Sequence, residues 1–116
     1  MYRFYRESYR GSALSGEEFE EFIARSEDYL QGLEKRYQVT GDQKARQLAL
    51  CAVADAMAYY DAARSGSGGL RYASVGSVSL SGKGVYSAVD ISPAAQQREL
   101  YRRVGRYLNI YRGAGQ

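Results

Sequence analysis

The sequence predicts a mainly α fold: a small bundle of three to four helices around a central apolar helix, with a short β-hairpin or extended loop between the last two long helices. Three observations carry this prediction. Within the stretch from Asp42 to Arg64, residues Leu48 to Tyr60 are apolar at nearly every angle of a helical wheel, with Asp55 their one charge. A helix apolar all round is one that other elements surround. On either side of it lie segments with apolar residues on one face at helical spacing. Between Ser65 and Ser92 the texture changes to period-two alternation with small polar residues, which suits strands and turns.

Taken in order, residues 1–14 read as an extended or irregular arm anchored by Tyr2, Phe4, Tyr5 and Tyr9. A helix follows over about Gly16 to Leu33. Ser15 and Glu18 form a capping box, and Leu14 can staple against Phe19 across it. Phe19, Phe22, Ile23, Leu30 and Leu33 share one side, and acids occupy the other. Tyr37 to Gly41 is a short connection. Asp42 is the expected N-cap of the central helix, alanines at 45, 49, 52, 54, 56 and 58 favour it, and Gly66 to Gly69 stop it. In the 65–92 excursion Val75, Val78, Leu80, Val85 and Val89 occupy strand-like positions, and Gly82-Lys83-Gly84 suits a turn. Ser92-Pro93 then opens the last helix as N-cap and first-turn proline. Its apolar face carries Leu100, Tyr101, Val104, Tyr107, Leu108 and Tyr111; Arg98, Arg102, Arg103 and Arg106 line the other. Residues 107–116 form a C-terminal tail.

With 116 residues the chain is expected to be one domain with a modest core. It has no apolar run long enough for a membrane span and no apolar signal-peptide core, so a cytosolic protein, or one assembled there, is expected. With no His and one Cys, neither a His/Cys metal site within one chain nor histidine catalysis is open to it. Cys51, inside the apolar run, reads as a small hydrophobe. Of sixteen basic residues three are lysines (Lys35, Lys44 and Lys83), leaving thirteen arginines beside twelve tyrosines. Such an Arg/Tyr-rich composition suits protein interfaces and nucleic acid alike.

Two glycine-rich stretches, SGSGG and SGKG, fail the phosphate-loop pattern, because Gly84 follows Lys83 where Ser or Thr should stand. Asp55 needs a partner if buried, and arginine is the abundant supply; a structural ion pair or an edge position near solvent is the expectation. No second acid stands by it as a catalytic pair would require. The charges are segregated. Glu17, Glu20, Glu21 and Asp28 lie on the first helix, and Arg98, Arg102 and Arg106 form an i, i+4, i+8 stripe on the last. A stripe of this kind can hold phosphates or be a solvated face. Complementary faces on identical subunits also favour head-to-tail contacts that close into rings.

Three stretches resemble the head–tail connector (adaptor, head-completion) proteins of long-tailed bacteriophages. They are FYRESYRGSALSGEEFEEFIARSEDYL at the start, SVGSVSLSG after a helix ending AVADAMAYYDAAR, and the closing RELYRRVGRYLNIYRGAG. In that order they cover most of the chain. The resemblance implies a structural virion protein without enzymatic activity or cofactor, found at the head–tail interface of the particle and in the host cytoplasm during assembly. It implies a homo-oligomeric ring of about a dozen subunits beneath the portal. Such a ring prolongs the DNA channel and offers a docking surface to a stopper or tail-completion protein. Its partners would be the portal, its own copies and genomic DNA passing without sequence specificity, with no membrane. It places subunit or portal contacts at Val75, Gly76, Ser77 and Val78, and in the tail at Tyr107, Tyr111, Arg112 and Gly113. The Gly/Ser-rich insertions depart from the family pattern.

The rival from another class is a small nucleic-acid-binding regulator using the basic last helix. It predicts affinity that falls steeply with salt. No polar turn into a recognition helix is visible, so helix-turn-helix geometry is not supported.

Overall fold

The computed structural model describes residues 1–65 and 90–111 of the chain. Among them are four helices and two short strands: α1 (Tyr2–Glu7), α2 (Gly16–Arg36), β1 (Gln38–Thr40), α3 (Gln43–Ser65), α4 (Pro93–Tyr107) and β2 (Asn109–Tyr111). The expected helical bundle around a central apolar helix is present. The expected hairpin falls on residues 66–89, outside the described residues.

Local chemistry starts each long helix. Ser15 accepts from the Glu18 amide and Glu18 returns a bond to the Ser15 amide, so two orphan donors of α2 are satisfied reciprocally. Leu14 and Phe19 are both buried in one cluster, as the staple requires. The Asp42 carboxylate accepts from the Ala45 amide at 2.7 Å and caps α3. Ser92 accepts from Ala95 at the start of α4, where Pro93 has no amide to satisfy.

Every residue of α3 from Ala49 to Ala56 is buried, because α2, α4 and the N-terminal segment enclose it. On one side Tyr5, Leu14, Phe19 and Phe22 pack against Cys51, Ala54 and Ala58. On the other, Leu30, Leu33, Leu100, Val104 and Leu108 pack against Leu50 and Val53. Ser26, 0 % exposed, donates to the Leu50 carbonyl at 2.8 Å, where a small residue lets α2 approach α3 closely. Arg46 of α3 reaches back to Glu34 and Glu27 of α2.

Three expectations are corrected. The arm over residues 1–14 is not extended throughout: Tyr2–Glu7 is helical. Tyr2 and Tyr5 lie against Phe19, at 5.4 Å and 5.1 Å between ring centroids, and this packing holds a helix too short to stand alone. The 37–41 connection and the tail are not plain links, because β1 and β2 pair antiparallel with Val39 opposite Ile110. That register turns both side chains toward the core around Leu108. Finally, Tyr111 is not on the apolar face of the last helix; it lies on β2 and is 56 % exposed.

Candidate functional site

The segregated charges survive folding. Glu17, Glu20, Glu21 and Asp28 are exposed along α2, and Arg98, Arg102 and Arg106 are exposed along α4. Among the described residues no ion pair joins the two faces. Glu21 lies 3.9 Å from Arg25 of its own helix, and Arg102 pairs with Glu99 of its own. Glu17, Glu20, Asp28, Arg98 and Arg106 make no salt bridge among the described residues. Arg103 departs from the expected basic face of the last helix. It turns inward, pairs with Glu99 at 2.7 Å and donates to the Ala52 carbonyl at 3.2 Å, tying α4 to α3. Against burial, which pushes upward, the bonds from Arg103 and Arg102 hold the Glu99 carboxyl low.

Tyr107 closes α4 half-buried against the second core cluster. Val75, Gly76, Ser77, Val78, Arg112 and Gly113 lie outside the described residues.

Asp55 is buried, 8 % exposed, and its partner is not the expected arginine. The Tyr5 hydroxyl donates to its Oδ1 at 2.7 Å, and Tyr9 supplies a further hydrogen bond. The same Tyr5 oxygen accepts the amides of Ala13 at 3.2 Å and Leu14 at 3.1 Å. Burial raises the Asp55 carboxyl above its ordinary range, while Tyr5, the Arg103 charge and Tyr9 pull it down. One carboxylate thus fastens α1, the loop after it and α3. A Cβ on Gly11 would come within 2.3 Å of the Tyr5 ring, so only glycine leaves room for it. Cys51, one turn from Asp55, is fully buried, and burial pushes its thiol up to about 12. It stays a thiol in the core.

A cleft of about 770 Å³ opens where α2, α3 and α4 diverge. Tyr29 and Arg36 of α2, Tyr37 just after it, Tyr60 of α3, and Arg98 and Tyr101 of α4 line it. Tyr37 and Tyr101 meet edge to face at 6.4 Å, and the Arg36 guanidinium stands 5.7 Å from the Tyr37 ring centroid. Burial pushes the Tyr29 hydroxyl up to about 12. Sequence reasoning did not assemble this cleft. Its signal was the Arg/Tyr composition, which has no periodicity to say which rings meet. No helix among the described residues is long and apolar enough to cross a membrane.

Compared with known proteins, the chain matches no family model, no curated protein and no solved structure.

Proposed function

We propose that the protein is a structural head–tail connector of a phage particle, not an enzyme. It assembles head to tail into a ring beneath the portal, extends the DNA channel and presents a docking surface to a stopper or tail protein. The observation that supports this is the pair of exposed, oppositely charged faces on α2 and α4 that do not neutralise each other within one chain. Salt bridges on a single surface are worth little. Arrays of complementary charge, however, set orientation and suppress wrong pairings between copies. Glu17, Glu20, Glu21 and Asp28 of one subunit meet Arg98, Arg102 and Arg106 of the next in this arrangement. The order of the three family-like stretches supports the particular assembly.

Light scattering after size-exclusion chromatography tests it, with and without added portal. Ring-sized particles are expected in at least one condition. Reversal of the α2 acids alone, or of the α4 arginines alone, abolishes them; combining the two restores them. A monomer or dimer indifferent to portal, or a combined variant that assembles no better than either half, defeats the reading.

A further inference from the structure

The cleft between α2, α3 and α4 shares Arg98 and Arg102 with the basic face just described, but its four tyrosines and Arg36 belong to neither charged face. We propose that it binds a nucleotide unit, with the base against the tyrosine rings and the phosphate met by Arg36 and Arg98.

The size fits, because about 770 Å³ lies within the span typical of small-ligand sites, roughly 300–1,000 Å³. The lining supplies both halves of such a ligand's chemistry. Tyr29, Tyr37, Tyr60 and Tyr101 offer ring surface with hydroxyls at the edge. Aromatic faces accept any base, since every base has a π-face. Guanidinium groups match phosphate oxygens in a two-pronged geometry that an ammonium lacks.

The cations are available. Arg36 makes no salt bridge among the described residues, and its close contact is the Tyr37 ring. Arg98 makes none either; the acid it influences is Asp90, which is fully exposed and bonded to the Ser92 amide. The remaining acid of the lining, Glu99, is already engaged by Arg102 and Arg103. An apolar ligand would strand two guanidiniums beside it. An acidic peptide would satisfy the arginines and leave four aromatic rings without a role. A base carrying a phosphate uses both.

Arg36 separates this site from the subunit contact, because it belongs to the end of α2 and is not one of the α4 stripe arginines. Arg106 is its complement, on the stripe but not in the cleft lining. Fluorescence anisotropy of labelled oligothymidylate at low salt, with the full chain, reads the site. Thymidine monophosphate and polyglutamate serve as competitors. The oligonucleotide is expected to bind, and Arg36→Glu, exposed and outside the core, to weaken it by about tenfold or more. Tyr60→Ala is expected to do the same, while Tyr60→Phe and Arg106→Glu retain binding. Displacement by thymidine monophosphate identifies a free nucleotide as sufficient. Binding of the oligonucleotide alone places the recognised unit within a strand. Both support the site. Failure of both the oligonucleotide and thymidine monophosphate to bind overturns the proposal. So does equal displacement by polyglutamate, or a loss caused by Arg106→Glu but not by Arg36→Glu. Far-ultraviolet circular dichroism and thermal midpoints of each variant report that the fold is intact. Assembly measured on the same variants is expected to follow Arg106 and not Arg36, so either proposal can fail alone.

Discussion

Tyr5 does three jobs with one hydroxyl, and removing it exposes how much rests on that atom. In Tyr5→Phe the ring still packs, but Asp55 loses its donor and the Ala13 and Leu14 amides lose their acceptor. Buried groups left unsatisfied cost far more than the net worth of the bonds themselves. A loss of roughly 2–4 kcal/mol in urea denaturation is expected, and a loss near zero would mean that water replaces the hydroxyl. Asp55 also gives stability a pH dependence. Its carboxyl is raised by burial, so the folded chain holds that proton more tightly than the unfolded one. The contribution is complete below the ordinary carboxylate value of about 4 and is lost as pH rises through the raised one. Groups facing it are Tyr5 from α1, Tyr9 after it, Cys51 from α3 itself and Arg103 from α4. Relative to Asp55→Asn, the parent chain should lose stability on going from mildly acidic to neutral pH. Parallel urea-midpoint curves for the two proteins would show that the carboxyl is not perturbed. The sequence marked Asp55 as a residue needing a partner but pointed to arginine. Tyr5 stands fifty positions away, and nothing local distinguishes it from the other eleven tyrosines.

At the scale of elements, what was legible is what is decided locally. The caps at Ser15, Asp42 and Ser92 are each read from a few adjacent residues, and each forms. Ser15→Ala should cost about 1 kcal/mol, read as a shift of the denaturation midpoint with unchanged slope. The burial of α3 on all sides was equally legible, since its apolar residues leave no solvent face. Helix α1 and strands β1 and β2 were not. Each is six residues or fewer and owes its conformation to distant partners, Phe19 for α1 and the opposite strand for the others. Close packing of α2 on α3 depends on Ser26. Replacing it with leucine should push the helices apart at a cost of about 1–3 kcal/mol, where Ser26→Ala gives up only the bond to Leu50. If leucine is tolerated, the contact is looser than its full burial implies.

For the whole molecule, the segregation of charge was readable from the chain because it follows helical spacing. The cleft was not, because three helices must dock before Tyr29, Tyr60 and Tyr101 share a wall. If the proposed assembly uses the two charged faces, it should weaken as salt rises, since these groups are exposed and screening acts within about 10 Å at moderate ionic strength. Sedimentation at increasing salt measures this. A particle indifferent to salt would place its contacts elsewhere, on apolar surface.

The pairing of β1 with β2 also has a kinetic side. Val39 and Ile110 meet although about 70 residues separate them, so this contact closes a long loop. Neighbours α2 and α3 can associate early, whereas strands so far apart in the chain are expected to pair late. Interactions formed that late are absent from the folding transition state. Trimming Ile110 to alanine should therefore leave the refolding rate nearly unchanged and speed unfolding. The small sheet, slight as a source of stability, acts as the catch that keeps the closed bundle from opening.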